Sequence, residues 1–99
     1  MAVYVVLSKL TDEGRRTLKS KPQRIFEVNK ELEDMGIKVK EQYALLGPYD
    51  FLNIVEADDN ESILRMSVEL GARGSVQLLS LPAISVDKFI AGVSPLKLG

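Results

Sequence analysis

The side chains best suited to chemistry are concentrated around one turn, from Gly47 to Asp50, which lies between two apolar segments. An aspartate in a turn commonly accepts hydrogen bonds from backbone amides and so closes the turn. The same carboxylate at a subunit boundary, beside Tyr49, is also suited to binding a ligand amine or the backbone of a partner. Asp50 therefore has two interpretations, one structural and one functional.

Further hydroxyl and amide groups occur within segments that are otherwise apolar. With the Tyr-Asp pair they make up the candidate ligand-binding residues, which are Tyr4, Ser8, Gln42, Tyr43, Tyr49, Asp50 and Asn53. A buried tyrosine hydroxyl usually finds an internal hydrogen-bond partner. An ordinary structural role is therefore the alternative for the tyrosines, and none of the seven is assigned a catalytic role.

The chain contains no cysteine and no histidine. This composition excludes disulfides, thiolate chemistry, Cys or His metal sites and histidine acid–base catalysis. The acidic cluster of Asp58, Asp59 and Glu61 is better explained by helix capping than by metal binding. The pattern predicts neither a metal nor a cofactor.

Length and charge limit the range of partners. At 99 residues the chain predicts one domain, 1–99, and a formal charge of -1 argues against an electrostatic grip on nucleic acid. No apolar segment reaches the roughly 18 residues of a membrane span, and no signal peptide is visible. We therefore expect a cytoplasmic protein with neither nucleic acid nor membrane as a partner.

Hydrophobic periodicity predicts the order β-α-β-β-α-β. Strands are expected at 2–10, 37–46, 50–57 and 75–84, the first because of its β-branched and aromatic residues. The first helical region begins at a Thr11 cap and is broken at Pro22, with Ser20 and Gln23 forming a second capping box and Gly36 ending the helix. Asp58 and Glu61 would cap the next helix, and Ser85 a final helical turn. Right-handed crossovers then give an α+β, ferredoxin-like, four-stranded antiparallel sheet with two helices on one face.

The register of the central hairpin decides which side chains share a face of this sheet. A two-residue loop would place Glu41 opposite Glu56, where like charges destabilise the pair or, in a functional interpretation, act as acid and base. A three-residue loop places Lys40 opposite Glu56 and Tyr43 opposite Asn53, and it is favoured because opposite charges contribute about 0.2–1 kcal/mol. Under that register the face without helices carries Gln42, Ala44, Leu46, Leu52 and Ile54, together with Tyr4, Val6 and Ser8 from the first strand.

The face without helices is too apolar to remain in water. Burial of Val6, Leu46, Leu52 and Ile54 would contribute about 6–12 kcal/mol, at about 1.5–3 kcal/mol each. Such a patch on a monomer promotes association. We therefore expect a homodimer or higher homo-oligomer, with two sheets facing each other around a ligand cavity.

The hairpin sequence also resembles a known family. Four segments carry this likeness, in chain order "YVVLSKLTDEG", "KPQR", "YALLGPYDFLNIVEADD" and "GARGSVQLLSLPAIS". In these segments the chain resembles the GYD domain family, which is named for a Gly-x-Tyr-Asp turn. The likeness spans nearly the whole chain. It implies a dimeric α/β-barrel of ferredoxin-like subunits, but no particular chemistry.

Two more distant likenesses suggest functions. The chain is similar to the effector-binding domains of leucine-responsive-type regulators, which bind amino acids at subunit interfaces, although it has no helix-turn-helix segment. It is also similar to cofactor-free monooxygenases of the dimeric barrel class, but it lacks their tryptophan and histidine. The leading prediction is a non-enzymatic small-molecule-binding or assembly module, and the alternatives are a cofactor-independent enzyme and a purely structural oligomer.

Overall fold

The computed structural model of the chain describes residues 1–94. In chain order the elements are β1 (Ala2–Leu10), α1 (Asp12–Ser20), α2 (Arg24–Asp34), β2 (Lys38–Ala44), β3 (Phe51–Ala57), α3 (Asn60–Gly71), β4 (Val76–Ala83) and α4 (Val86–Val93). The strands form one antiparallel sheet in the order β2-β3-β1-β4. The α+β, ferredoxin-like prediction is confirmed.

Local signals fix most of the helix ends. The Thr11 hydroxyl accepts the Gly14 amide at the start of α1, and the Ser85 hydroxyl accepts the Lys88 amide at the start of α4, as predicted. Pro22 separates α1 from α2, because proline lacks the amide hydrogen that a continuous helix needs. Gly36 ends the α2 region, as predicted, and has a positive φ of 81°, a conformation that favours glycine.

Two predicted capping boxes are wrong. The Ser20 hydroxyl donates to the Arg16 and Thr17 carbonyls within α1, and α2 begins after Gln23. The cap of α3 is Asp59, whose carboxylate accepts the Ser62 amide at 2.9 Å, one residue later than expected. Both errors are local, because serine and aspartate also bond readily within their own turn.

The start of α1 lies unusually close to the start of β4. A Cβ built on Gly14 would lie 2.1 Å from the Ser75 carbonyl oxygen, which also accepts the Thr11 amide at 3.1 Å. Only glycine therefore allows this approach. The contact fixes one end of the helix layer against the sheet.

The central hairpin has a longer loop than predicted. Ala44 pairs with Phe51, and the Leu45 amide donates to the Asp50 carbonyl at 2.8 Å, so the loop has four residues, 46–49. The predicted pair of Lys40 with Glu56 is wrong as a register, since Lys38 takes the position opposite Glu56. A bulge between Val39 and Glu41 nevertheless leaves the Lys40 ammonium 3.9 Å from the Glu56 carboxylate.

The longer loop moves several residues to the other face of the sheet. Helices α1, α2 and α3 lie on what we call the covered face, which carries Tyr4, Val6, Ser8, Gln42, Ala44, Phe51, Asn53, Val55, Ala57, Val76 and Leu78. The predicted outward positions of Tyr4, Val6, Ser8, Gln42 and Ala44 are therefore wrong, and Leu46 lies fully exposed in the loop. A one-residue change of register reverses every side chain of a strand, which explains the error in β2.

The uncovered face carries the other half of each strand. Its larger apolar members are Val3, Val5, Leu7, Tyr43, Leu52, Ile54, Leu79 and Leu81. Leu52 and Ile54 were predicted correctly. The general prediction of an apolar face without helices is also confirmed, since Leu79 is 42% exposed and Leu81 43% exposed.

The core lies between the covered face and the helices. Its buried apolar residues are Tyr4, Val6, Leu32, Ile37, Val55, Ala57, Ile63, Met66 and Leu70. Pro82 lies on β4, which is an edge strand as predicted. Such a position is one of the few in a sheet that tolerates a missing amide hydrogen.

Candidate functional site

The Tyr-Asp turn is a structural anchor within this chain. The Asp50 carboxylate accepts the Leu10 amide at 2.7 Å, and the Asp50 amide donates to the Ser8 carbonyl at 2.8 Å. The guanidinium of Arg15 lies 3.7 Å from the same carboxylate. Asp50 thus ties the hairpin to the end of β1, and its neighbour Tyr49 is half-buried. This geometry accounts for the aspartate without a ligand.

Tyr4 and Tyr43 lie on opposite faces of the sheet. The Tyr4 hydroxyl donates to the Asn60 side chain at 2.6 Å, where α3 begins, so its hydrogen-bonding capacity is used inside the subunit. Tyr43 lies on the uncovered face and is 53% exposed. The candidate residues are therefore not assembled into one inter-sheet site.

Three candidate residues do share a cavity, but it is on the covered face. Ser8, Gln42 and Asn53 line a space of about 280 Å³ between the sheet and helices α1, α2 and α3. The other lining residues are mostly aliphatic, including Val6, Ile25, Val28, Leu32, Met66 and Leu78. The predicted cavity between paired sheets would require a second subunit, whereas this cavity is formed by one chain.

The polar groups of this cavity are unequally satisfied. Gln42 and Asn29 exchange two amide hydrogen bonds, at 2.8 and 3.0 Å, which tie β2 to α2. The Asn53 side-chain oxygen is buried and has no hydrogen-bond partner among residues 1–94. Sequence reasoning missed Asn29, although its position beside the apolar stripe of α2 at Val28 and Leu32 was a usable signal.

An ion-pair network joins the helices that border the cavity. Arg73, just after α3, contacts Glu31 of α2 and Glu69 of α3, and Arg24 also reaches Glu31 at 3.5 Å. The hydrogen bond from Arg73 lowers the pKa of Glu31, and the same bond raises the pKa of Arg73. Both charges are thereby compensated within the chain. The connection between α3 and β4 therefore supplies a cation to the helix layer.

Helix α4 is the part of the described chain least involved in the core. Its residues Val86, Phe89, Ile90 and Val93 follow the spacing of one helical stripe, and all are between 55% and 70% exposed. None of its eight residues is buried. The sequence predicted a single turn here, and the structure has two turns with an apolar surface that packing within residues 1–94 does not use.

Residues 1–94 contain neither a membrane-spanning helix nor a cluster of metal-binding side chains. No helix within 1–94 combines the length and apolar character that crossing a membrane requires. Over the same range, His, Cys, Asp and Glu side chains form no group of three suited to a metal ion.

The profile of the GYD domain family matches residues 4–93. The chain belongs to the GYD domain family. The resemblance inferred from its four sequence segments is thereby confirmed.

The GYD domain described here is similar to one curated protein over nearly its full length. It is 52% identical over 92 residues to the "Glutamine synthetase and cystathionine beta-lyase binding protein" of Thermus thermophilus. The match covers 92% of this chain and 97% of that protein.

A solved structure with a similar fold is the crystal structure of MtbAldR, of the Lrp-like regulator family, at a TM-score of 0.64 and 25% identity. The match covers 85% of this chain but 52% of MtbAldR, so the GYD domain spans about half the length of that regulator.

Proposed function

We infer that this GYD domain is a non-enzymatic assembly module, which self-associates through its uncovered face and binds metabolic enzymes in the cytoplasm. The observation that carries the inference is the similarity to a protein named for binding glutamine synthetase and cystathionine β-lyase, at 52% identity over 97% of its length. At that identity the two proteins share the fold. These two enzymes are therefore the first candidate partners.

The uncovered face supports self-association. Eight apolar side chains lie on it, and large aliphatic residues contribute about 1.5–3 kcal/mol each when they become fully buried. A two-fold symmetric pairing would bury the same residues of both copies, since such an interface uses one patch twice. Lys40 and Glu56, paired at 3.9 Å, lie toward the end of this face and would form part of the polar rim.

Helix α4 supports the binding of a different partner. Its apolar stripe of Val86, Phe89, Ile90 and Val93 has the spacing of a helix that binds in a hydrophobic groove. It is also separate from the sheet residues that self-association would bury. We assign the uncovered face to a second copy and the α4 stripe to the enzyme.

The two assignments are tested with two single substitutions. Leu7→Asp should convert the oligomer to monomers in sedimentation velocity at micromolar concentration, because it places a charge at the centre of the uncovered face. Phe89→Ser should leave sedimentation unchanged but weaken binding to purified Thermus thermophilus glutamine synthetase or cystathionine β-lyase by at least about tenfold in surface plasmon resonance. Lys88→Ser, a neighbouring substitution off the stripe, is the matched control.

The outcomes distinguish the parts of the proposal. A wild-type chain that sediments as a monomer contradicts self-association, and a wild-type chain with no measurable affinity for either enzyme contradicts the assigned partners. If Phe89→Ser dissociates the oligomer, the α4 stripe belongs to self-association and its assignment to the enzyme is wrong.

A further inference from the structure

The cavity between the helices and the covered face is partly open to solvent, and it lies within one chain. The space beneath α1, α2 and α3 has a volume of about 280 Å³. An engineered apolar cavity of about 150 Å³ already accommodates benzene. The cavity of this subunit therefore has room for a bicyclic molecule.

One polar atom in this cavity needs a donor. The Asn53 side-chain oxygen is buried without a hydrogen-bond partner among the described residues, on the central strand β3. A buried acceptor in this condition costs about 1–3 kcal/mol. Its cross-strand neighbour Gln42 directs its amide to Asn29, and its other neighbour is the aliphatic Val6. A molecule held in the cavity, whether water or a ligand, can supply this donor.

The remaining lining residues define the chemistry of that molecule. Aliphatic side chains from all sides favour an apolar body, and the Ser8 hydroxyl offers one further polar contact. Arg24, Arg73 and Glu13 also line the space. The two arginines are paired with glutamates of the helix layer, and Glu13 is exposed to solvent. Because these charges are compensated or solvated, the cavity does not require a charged ligand.

We propose that the cavity between the helices and the covered face binds a small, neutral, largely apolar molecule that donates one hydrogen bond to the Asn53 side-chain oxygen. This site differs from an inter-sheet cavity, because it lies on the opposite face and is complete in one subunit. It is also independent of enzyme binding through α4. A ligand held there contacts α2 and α3 at once and stabilises the helix layer.

Indole and indene provide a matched pair of probes. They have the same size and shape, but only indole has an N–H donor. In a two-dimensional ¹⁵N–¹H NMR titration of the full chain, indole should shift the Asn53, Val6 and Met66 amides saturably. Indene should bind about tenfold more weakly, since it leaves the acceptor unpaired.

Two variants locate the binding. Asn53→Leu should remove the preference for indole over indene, and it should not lower the melting temperature of the free protein, because it removes an unpaired buried acceptor. Tyr43→Phe, on the uncovered face, should leave both affinities unchanged. If Asn53→Leu does not fold, Val28→Phe provides a second test, because it fills the cavity and should abolish indole binding.

Three results would overturn the proposal. They are the absence of saturable indole binding, equal affinity for indole and indene in the wild-type chain, and loss of indole binding in Tyr43→Phe. The third result would place the ligand on the uncovered face.

Discussion

The two faces of the sheet are built from similar residues but lie in different surroundings. On β1, Val6 is 2% exposed beneath the helices, whereas its neighbour Leu7 lies on the face that the helices do not reach. Both are large aliphatic side chains in one uninterrupted apolar segment. The comparison shows that hydrophobicity alone does not identify the core, because Leu7 on the uncovered face is as apolar as the buried Val6.

The largest expected effect separates these neighbours on β1. Val6→Asp should abolish folding, because an unpaired charge in the core is incompatible with a total stability of about 5–15 kcal/mol. Leu7→Asp should retain the native circular dichroism spectrum while losing self-association. A folded Val6→Asp chain, or an unfolded Leu7→Asp chain, would reverse the assignment of the two faces.

A substitution at Asp50 tests the anchor that ties the central hairpin to the end of β1. Asp50→Ala removes the carboxylate that accepts the Leu10 amide and should lower the free energy of unfolding by about 1.5–3 kcal/mol, the range for a hydrogen bond to a charged group. Urea denaturation measures the change. Asp50→Asn keeps an acceptor oxygen and should lose less.

The same pair of variants decides between the two interpretations of the turn. If the turn is purely structural, Asp50→Asn keeps its affinity for the enzyme partners and for indole. A folded Asp50→Asn protein that has lost either affinity would favour the functional interpretation.

Gly14 tests how tightly the helix layer lies on the covered face. Gly14→Ala should destabilise the fold by about 1–3 kcal/mol despite the better helix propensity of alanine, because the new methyl group would meet the Ser75 carbonyl oxygen. Gly71→Ala is the control, since no atom lies within 4 Å of its built Cβ, and it should be neutral or stabilising. Equal melting temperatures for the two variants would show that α1 can move away from β4.

The smallest expected effect concerns pH. The Arg73 hydrogen bond lowers the pKa of Glu31 in the folded chain, so the pair stabilises the fold above the pKa of an unfolded glutamate, and this contribution is lost as the pH falls through the lowered value. Both groups are partly exposed, which limits the effect. Glu31→Gln should reduce the acid dependence of the melting temperature below the ordinary glutamate range. An unchanged acid dependence would show that the pair contributes nothing to stability.

Much of the fold could be predicted from local signals. Thr11, Pro22, Gly36 and Ser85 define helix ends through interactions within one or two turns, and the structure follows all four. The apolar nature of both faces was also readable. It follows from strands such as β1, which does not alternate between polar and apolar residues.

The assignment of side chains to each face could not be predicted from the same signals. Val3 to Leu7 is apolar throughout, so the sequence of β1 is compatible with either orientation. The hairpin loop is one residue longer than cross-strand charges suggested, and the bulge beside Val39 restores contact between Lys40 and Glu56. A weak local preference therefore gave the wrong register while the ion pair itself still formed.

The cavity beneath the helices could not be predicted from the sequence of any single strand. Its volume is set by the separation of helices that approach the sheet at Gly14 and are tied together at Arg73. Asn53 was a visible signal, because it is the one amide within the apolar part of β3. The sequence does not show that the Asn53 side-chain oxygen is unpaired, because this depends on the positions of its neighbours Gln42 and Val6 in the sheet.

The two edges of the sheet have a consequence for the form of any assembly. β2 is interrupted by a bulge, and β4 contains Pro82, so neither outer strand offers a regular ladder of amide and carbonyl groups to an incoming strand. Growth by edge-to-edge addition, which leads to cross-β fibrils, is thereby disfavoured. In the proposed self-association, pairing of two uncovered faces would bury the apolar surface of both chains and so give a particle of finite size.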